Sequence, residues 1–313
     1  TTIVMPKINS QEFQKRCDEL KLNYIKLSLT LLNKKLLNII LYIILFPYEI
    51  LTLSRFLKKN NFDIVHISGG SWQFKGILSA KIVNIKVVWH LNDTYASLIT
   101  RNIFKYVSKF ADAFIFASER TKKYYSKLVS KKISFLIQAP VDTNFFNPKI
   151  QLNLDKFIRK KKIKKKIVIG TVGNINPVKG HITFLRAAND ILLHDVNVIF
   201  VIVGPQLKSQ KKYFNNLSKF IRQNNIKNIH FIGSRKDVRP ILKEMDIYIC
   251  ASFYESSPLS VWEAMAMKKA IVTTDVGDVS KFVKNGINGY VVKTGDYKNL
   301  SKYALKLIKN YKL

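Results

Sequence analysis

Two glutamates, Glu255 and Glu263, flank a segment whose residue types suit a phosphate ester. Seven residues lie between them, and Ser256, Ser257, Pro258, Leu259 and Ser260 make a short loop that runs into a helix-forming stretch ending Ala264, Met265, Ala266, Met267. The apolar run 247–251 before it reads as a buried strand, so the segment predicts strand, loop, helix. Ser257 suits the helix N-cap, and Pro258 suits the first helical position, where a missing N–H costs nothing. A helix that starts at the carboxyl end of a buried strand offers unpaired N–H groups and a partial positive charge, which favour a phosphate. Glu255 precedes that start, and Glu263 lies about five residues in, roughly 7–8 Å along the axis. Carboxylates so placed can hold hydroxyl-rich groups on either side of a bound phosphate, an outline of sugar, diphosphate and ribose. Taken singly, each glutamate also fits a helix cap or a solvated helix position.

A second segment offers a cation. The strand 167–172 is followed by Gly173, Asn174, Ile175, Asn176, Pro177, Val178, Lys179 and Gly180, then a helix. This is neither a P-loop nor G-x-G-x-x-G. Gly173 lets backbone approach a ligand, and Lys179 supplies a point charge for a diphosphate. The turn at Gly233-Ser234-Arg235 is a place where a nucleotide base can stack, with Arg235 beside it. In the first half, His90 ends the strand 86–89, and ligands of parallel sheets bind beyond strand carboxyl ends. An imidazole there can donate to a sugar hydroxyl or position an acceptor, although a lone histidine is more often structural; Asn92 and Asp93 follow it.

Glu255…Glu263, the strand 270–274, Asp275-Val276-Gly277-Asp278 and Asn285-Gly286-Ile287-Asn288-Gly289 together resemble the signature of retaining GT-B glycosyltransferases. That large family includes sucrose synthase and bacterial lipopolysaccharide and capsule glycosyltransferases. The resemblance implies an α/β fold of two Rossmann-like domains with parallel sheets facing across a cleft. It implies Glu255 on the donor sugar, Glu263 on the ribose, and His90 at a strand end facing the sugar. Gly173, Lys179, Arg235 and the loop Ser257, Pro258, Leu259, Ser260 are expected around a UDP- or GDP-linked sugar. Asn174 stands where the family usually has Arg, which removes one cation from the leaving group. The segment Ala139-Pro140-Val141-Asp142, then Phe145, Phe146 and Pro148, is similar to the family's interdomain crossing, commonly Asn-Gly-Val-Asp followed by Phe and Pro. The expected domains are therefore 1–149 for the acceptor and 150–313 for the donor. Against the family pattern, a first strand with its glycine-bearing loop and the C-terminal helices that cross back are expected to be missing.

The mechanism implied is metal-independent hexosyl transfer with retention and without a resident cofactor. No Asp-x-Asp follows a strand and no His/Cys/Asp cluster has metal-ligand spacing, so the departing diphosphate is expected to rest on Lys179 and the N–H groups near Leu259 and Ser260. Two other classes remain open. One is a nucleotide-sugar epimerase or hydrolase on the same fold, which would turn over donor without acceptor. The other is a non-catalytic basic protein binding membrane or nucleic acid, in which both glutamates are dispensable; no RNA-binding aromatic motif supports it, and a nucleic-acid partner is not expected.

The elements that must carry these residues alternate strand and helix, which predicts parallel sheets. The chain has 313 residues and 47% hydrophobic content, enough for two cores. It carries 53 Lys+Arg against 20 Asp+Glu, a net charge of +33, which favours anionic partners; a Lys- and Asn-rich composition also leaves much of that charge as solvated surface. The run 150–166 reads as a polar linker. Cys17 and Cys250 are far apart and suggest neither a disulfide framework nor a metal site, as in a reducing cytoplasm. The stretch 33–59 is a long apolar helix with Pro47 and Glu49 inside it and Lys34, Lys35, Arg55, Lys58 and Lys59 at its ends. It fits a buried packing helix, a helix lying on the inner face of an anionic bilayer, or, less well with a strand directly after it, a span. The acceptor is expected to be a saccharide or lipid-linked precursor.

Overall fold

The computed structural model describes residues 1–32, 36–129, 132–153, 166–194 and 197–310. Lys34, Lys35 and most of the basic run 150–166 lie outside the described residues. The chain folds as two compact units. Unit 1 comprises Thr1–Phe116 and Tyr125–Phe135, and unit 2 comprises Ala117–Tyr124 and Leu136–Leu313. Residues 136–149 thus pack with unit 2.

Unit 1 runs β1 (Ile3–Pro6), α1 (Gln11–Glu19), β2 (Tyr24–Leu27), α2 (Leu36–Lys59), β3 (Ile64–Gly69), α3 (Phe74–Ile82), β4 (Lys86–Leu91), α4 (Leu98–Val107) and β5 (Ala113–Phe116). Helix α5 (Glu119–Tyr125) and β6 (Ile133–Leu136) complete it at the border with unit 2. Strand β1 escapes the sequence reading because four residues beside a Pro show too little alternation. β1 and β2 form a parallel pair, and β3-β4-β5-β6 form a separate four-stranded sheet. In β4 the period of two is plain: Val87, Trp89 and Leu91 are fully buried, while Lys86 faces out. Trp89 packs edge-on to Phe74 at 6.3 Å and tilted against Phe104 at 4.7 Å, and these rings centre the core.

Helix α2 has two characters. Its C-terminal part buries Glu49, Ile50, Leu53, Ser54 and Leu57, one stripe at helical spacing. Ser54 Oγ donates to Ser79 O at 3.0 Å and Ser79 Oγ to Ile50 O at 3.1 Å, so α2 and α3 lie close. Lys75 Nζ donates to Glu49 Oε2 in a buried ion pair, and also to Thr30 O and Oγ1 at 3.0 and 2.9 Å. The N-terminal half instead leaves Leu36, Leu37, Ile43, Ile44 and Tyr48 more than 60% exposed. Of the three expectations, the buried helix holds only for the C-terminal part.

Unit 2 contains β7 (Ile167–Val172), α6 (His181–Leu192), β8 (Val198–Val203), α7 (Lys211–Gln223), β9 (Ile229–Gly233), α8 (Arg239–Glu244), β10 (Ile247–Cys250), α9 (Leu259–Ala266), β11 (Ala270–Thr274), α10 (Val279–Phe282), β12 (Tyr290–Val292) and α11 (Tyr297–Asn310). The six strands are parallel, in the order β12-β11-β10-β7-β8-β9. Every residue of β8 is buried, as a strand covered on both faces requires. Phe184, Leu185 and Ile191 of α6 pack with Leu300, Ala304 and Ile308 of α11 on one face. Ile241, Leu242, Val261 and Ala264 of α8 and α9 cover the other. The start of α5 belongs to this unit by its bonds. Asp278 accepts from the N–H groups of Glu119 and Arg120 at 2.9 and 3.3 Å, and Arg120 donates to Asp275 O and Oδ1 at 2.9 and 2.8 Å.

Candidate functional site

The chemistry-bearing residues of unit 2 gather where β7 and β10 end. After β7 the chain makes a 3-10 turn, Pro177–Lys179, capped by Asn176 Oδ1, which accepts from Lys179 N at 3.1 Å. Gly180 follows at φ +65°, and a Cβ there would stand 1.9 Å from Ala251 O. Both facts require glycine, and they let the turn lie against the end of β10, where Phe253 N donates to Val178 O at 2.8 Å. That contact brings Lys179 Nζ to Glu255 Oε1 at 2.5 Å. Ser252 Oγ donates to the same oxygen at 2.9 Å. Ser252 is a residue the sequence reading passes over; its only signal is its place at the strand end, three residues before Glu255.

Helix α9 starts one residue later than expected. Pro258, not Ser257, holds the N-cap position, and no side chain caps it. The Ser257 hydroxyl is occupied otherwise, accepting from Trp262 Nε1 at 3.0 Å. Leu259 N donates to Ser257 O at 2.9 Å and Val261 N to Pro258 O at 2.8 Å, so within the first turn it is Ser260 N that is left to water or a ligand. Gly277, at φ +54°, admits the loop: a Cβ would meet Ser256 O at 2.3 Å. Leu259 is exposed and Ser260 half-buried at the helix start. Glu263 is the fifth helical residue. Burial pushes its carboxyl above the usual range, and its carboxylate has no partner among the described residues. It is a desolvated acceptor suited to hydroxyl donors.

The other expected residues are dispersed. Asn174 is exposed beside Gly173 at the end of β7. Arg235 donates to Ile232 O and, at 3.2 Å, to Ser234 O, so its guanidinium is turned onto its own loop. His90 lies in unit 1, at the end of β4, and its ring stacks on His66 with centroids 5.6 Å apart and planes 11° apart. Its Nε2 is buried without a hydrogen-bond partner among the described residues. Burial, then the neighbouring His66, holds its pKa below the usual value, which favours a neutral ring. Asp93 is structural: it accepts from Tyr125 Oη at 2.7 Å and from Ser71 N and Oγ at 3.3 Å. No group of three His, Cys, Asp or Glu side chains gathers at metal distance among the described residues.

His181, at the start of α6, adds a pH dependence. It is 1% exposed, with Nδ1 3.4 Å from Asn176 O, and burial pushes its pKa from 6.5 down to about 4. The unfolded imidazole takes up its proton near 6.5 and the folded one only near 4, so this stability is complete above 6.5 and is lost as pH falls towards 4. Between pH 7 and pH 5 the loss should be about 2 kcal/mol. Urea midpoints measured over that range should fall in the wild type and stay nearly level in His181→Gln; equal slopes would exclude His181 as the source.

Residues 154–313 match the family described as Glycosyl transferases group 1, and residues 28–145 match Glycosyltransferase Family 4. The chain is 27% identical over 279 residues to the Campylobacter jejuni N,N'-diacetylbacillosaminyl-diphospho-undecaprenol alpha-1,3-N-acetylgalactosaminyltransferase, covering 83% of this chain and 72% of that one. It is 26% identical over 266 residues to an Escherichia coli UDP-Gal:alpha-D-GlcNAc-diphosphoundecaprenol alpha-1,3-galactosyltransferase, covering 79% and 67%. Among solved structures, Anabaena HepE in complex with UDP and glucose superposes with a TM-score of 0.78 at 18% identity, over 96% of this chain and 80% of that one. A Rickettsia africae glycosyltransferase superposes with a TM-score of 0.79 at 18% identity, over 99% and 80%. These structures share the GT-B fold, and with the family match over half of its length the chain belongs to the glycosyl transferases group 1 family and is a glycosyltransferase.

Proposed function

We propose that the enzyme takes a UDP- or GDP-linked sugar at the β7 and β10 ends of unit 2 and passes the sugar, with retained configuration, to a lipid-linked or saccharide acceptor. The observation that carries this reading is the Lys179–Glu255 ion pair, set just ahead of the uncapped start of α9. The diphosphate rests on the N–H groups near Leu259 and Ser260, and Lys179 turns from Glu255 to the developing negative charge of the leaving phosphate. Glu255, released, accepts from donor-sugar hydroxyls, while Ser252 holds its carboxylate in place. Glu263 accepts from the ribose. His90, kept neutral, offers Nε2 to an acceptor hydroxyl. Relatives whose names specify undecaprenyl-diphosphate acceptors support the acceptor class, and a UDP complex of a structural neighbour supports the donor class. The direct test is thermal shift with UDP-glucose, UDP-N-acetylglucosamine and GDP-mannose. At 100 times Kd a bound donor stabilises by about 2.7 kcal/mol. One of the three should raise Tm by several degrees in the wild type and not in Lys179→Ala; three flat curves would reject the site.

The acceptor class bears on α2. Its exposed Leu36, Leu37, Ile40, Ile43, Ile44 and Tyr48, with Arg55, Lys58 and Lys59 at the far end, suit the headgroup boundary of an anionic bilayer. This helix is also the one, among the described residues, long and apolar enough to cross a membrane by length and composition. A peripheral position at the cytoplasmic face predicts sedimentation with phosphatidylglycerol vesicles that weakens in high salt and fails in Ile43→Glu/Ile44→Glu. Equal recovery of the variant would remove α2 from the contact.

A further inference from the structure

The loop between Glu255 and Ser260 leans on a segment 135 positions earlier in the chain. Thr121, in the first turn of α5, has its hydroxyl 2.7 Å from the Ser256 hydroxyl and 2.8 Å from that of Ser118. Thr121 N also donates to Ser118 Oγ at 3.0 Å. Ser118 and Thr121 are fully covered, and Ser256 is 8% exposed. A hydroxyl carries one proton, so the Thr121 oxygen, with two hydroxyl partners, donates to one and accepts from the other. The three hydroxyls form a single chain, and removing the middle one breaks both links. The segment around Thr121 is itself fixed within unit 2. Asp278 accepts from Glu119 N, from Arg120 N and, at 2.7 Å, from Gln138 Nε2, while Arg120 donates to Asp275. Gly277, between those two aspartates, lies so close to the loop that a Cβ would come within 2.3 Å of Ser256 O and 3.0 Å of Pro258 Cδ. Ser256 is thus held from two sides. Before it, the chain is anchored where Thr274 Oγ1 donates to Ser252 O at 2.6 Å; after it, where Trp262 Nε1 donates to Ser257 Oγ at 3.0 Å.

We propose that Thr121 is a positioning residue for the donor: its hydroxyl fixes Ser256 and, through it, sets the Glu255 carboxylate and the Ser260 N–H at the spacing that sugar and diphosphate require. This role rests on donor binding at residues 255–260. Thr121 is fully covered, so it acts through the loop and does not touch the donor. Without its hydroxyl, the Ser256 oxygen loses a buried partner. The stretch between the two anchors then gains freedom, and part of the binding energy goes into ordering it. Serine at 121 keeps the chain of hydroxyls whole, whereas valine keeps the shape and removes the links. The residue therefore lies outside the strand–loop–helix that carries the donor contacts, yet governs how firmly those contacts are presented.

Isothermal titration with UDP, and with GDP in parallel, tests the role. Each variant is titrated at a temperature where circular dichroism shows it folded; a hydroxyl that served stability alone would lower the urea midpoint and leave Kd unchanged. Wild type and Thr121→Ser should bind one of the two nucleotides alike. Thr121→Val should weaken that binding about tenfold, the size of one impaired bond to a charged group. Ser256→Ala should weaken it to a similar extent, and Thr121→Val/Ser256→Ala no further, because both substitutions cut the same link. Unchanged Kd in Thr121→Val, or losses that add in the double variant, would overturn the role of Thr121 and leave the donor site standing. Should Thr121→Val not fold, Ser256→Ala decides by the same criterion. A wild type that binds neither nucleotide would overturn the donor site and this role with it.

Discussion

Glu255→Ala should lower kcat/KM for sugar transfer by about 100- to 1,000-fold while the protein stays folded, the range for losing one preorganised contact at a reacting centre. The side chain accepts from Lys179 Nζ at 2.5 Å and from Ser252 Oγ at 2.9 Å in the free protein. The Lys179 side chain is 28% exposed and can turn to water, and Ser252, though buried, is a neutral hydroxyl, so the fold loses little when the carboxylate goes. On the proposed placement of the diphosphate and ribose away from Glu255, the loss should fall on kcat more than on KM for the nucleotide. Glu255→Gln should recover part of the rate, since it keeps an acceptor oxygen for a sugar hydroxyl. The measurement is initial velocity with saturating donor, beside a urea melt of each variant. Transfer by Glu255→Ala within tenfold of wild type, at unchanged stability, would remove Glu255 from the reaction.

The largest effect on stability is expected at α2. Glu49→Ala leaves the Lys75 ammonium, on a side chain only 10% exposed, without its carboxylate. Removing one partner of a buried pair costs about 3–5 kcal/mol, whereas replacing both by apolar groups is near neutral. Burial already holds the Lys75 pKa below its usual value, and the freed lysine can shed its proton, so the cost should lie near the lower bound. The ring of Tyr42, 3.7 Å from Nζ, and Thr30 O and Oγ1 retain some stabilisation. Glu49→Leu/Lys75→Met should regain most of the loss. Urea midpoints at constant m decide it, and a cost below 1 kcal/mol for Glu49→Ala would mean that the pair is solvated in solution.

Unit 2 was legible because its signals are local. The strand–loop–helix at 247–266 needs only an apolar run, a Pro and small residues, and the two glutamates fall on it by counting. The Lys179–Glu255 pair was not legible, because the two residues are 76 positions apart and meet only through the close approach that Gly180 permits. The choice of Ser257 as cap failed on tertiary competition, the Trp262 indole claiming its hydroxyl. Nor was the posture of Arg235 legible, its guanidinium donating to the carbonyls of Ile232 and Ser234 in its own loop. In unit 1 the helix at 36–59 was found by composition, but which half is covered depends on α3, whose packing no single-helix pattern encodes. The stacking of His66 on His90 depends on β3–β4 register, which puts Ser68 opposite His90 and His66 on the same side of the sheet.

Asp278, Asp275 and Arg120 also set a rule for recombining this enzyme with its kin. A chimaera that exchanges unit 2 by a single crossover near residue 149 would leave residues 117–124 from the other parent. The helix start would then depend on whatever residue the relative carries in place of Asp278, and Thr121 on whatever it carries in place of Ser256, whose hydroxyl lies 2.7 Å from that of Thr121 here. Exchanging unit 2 whole therefore takes two cassettes, 117–124 together with 136 onward.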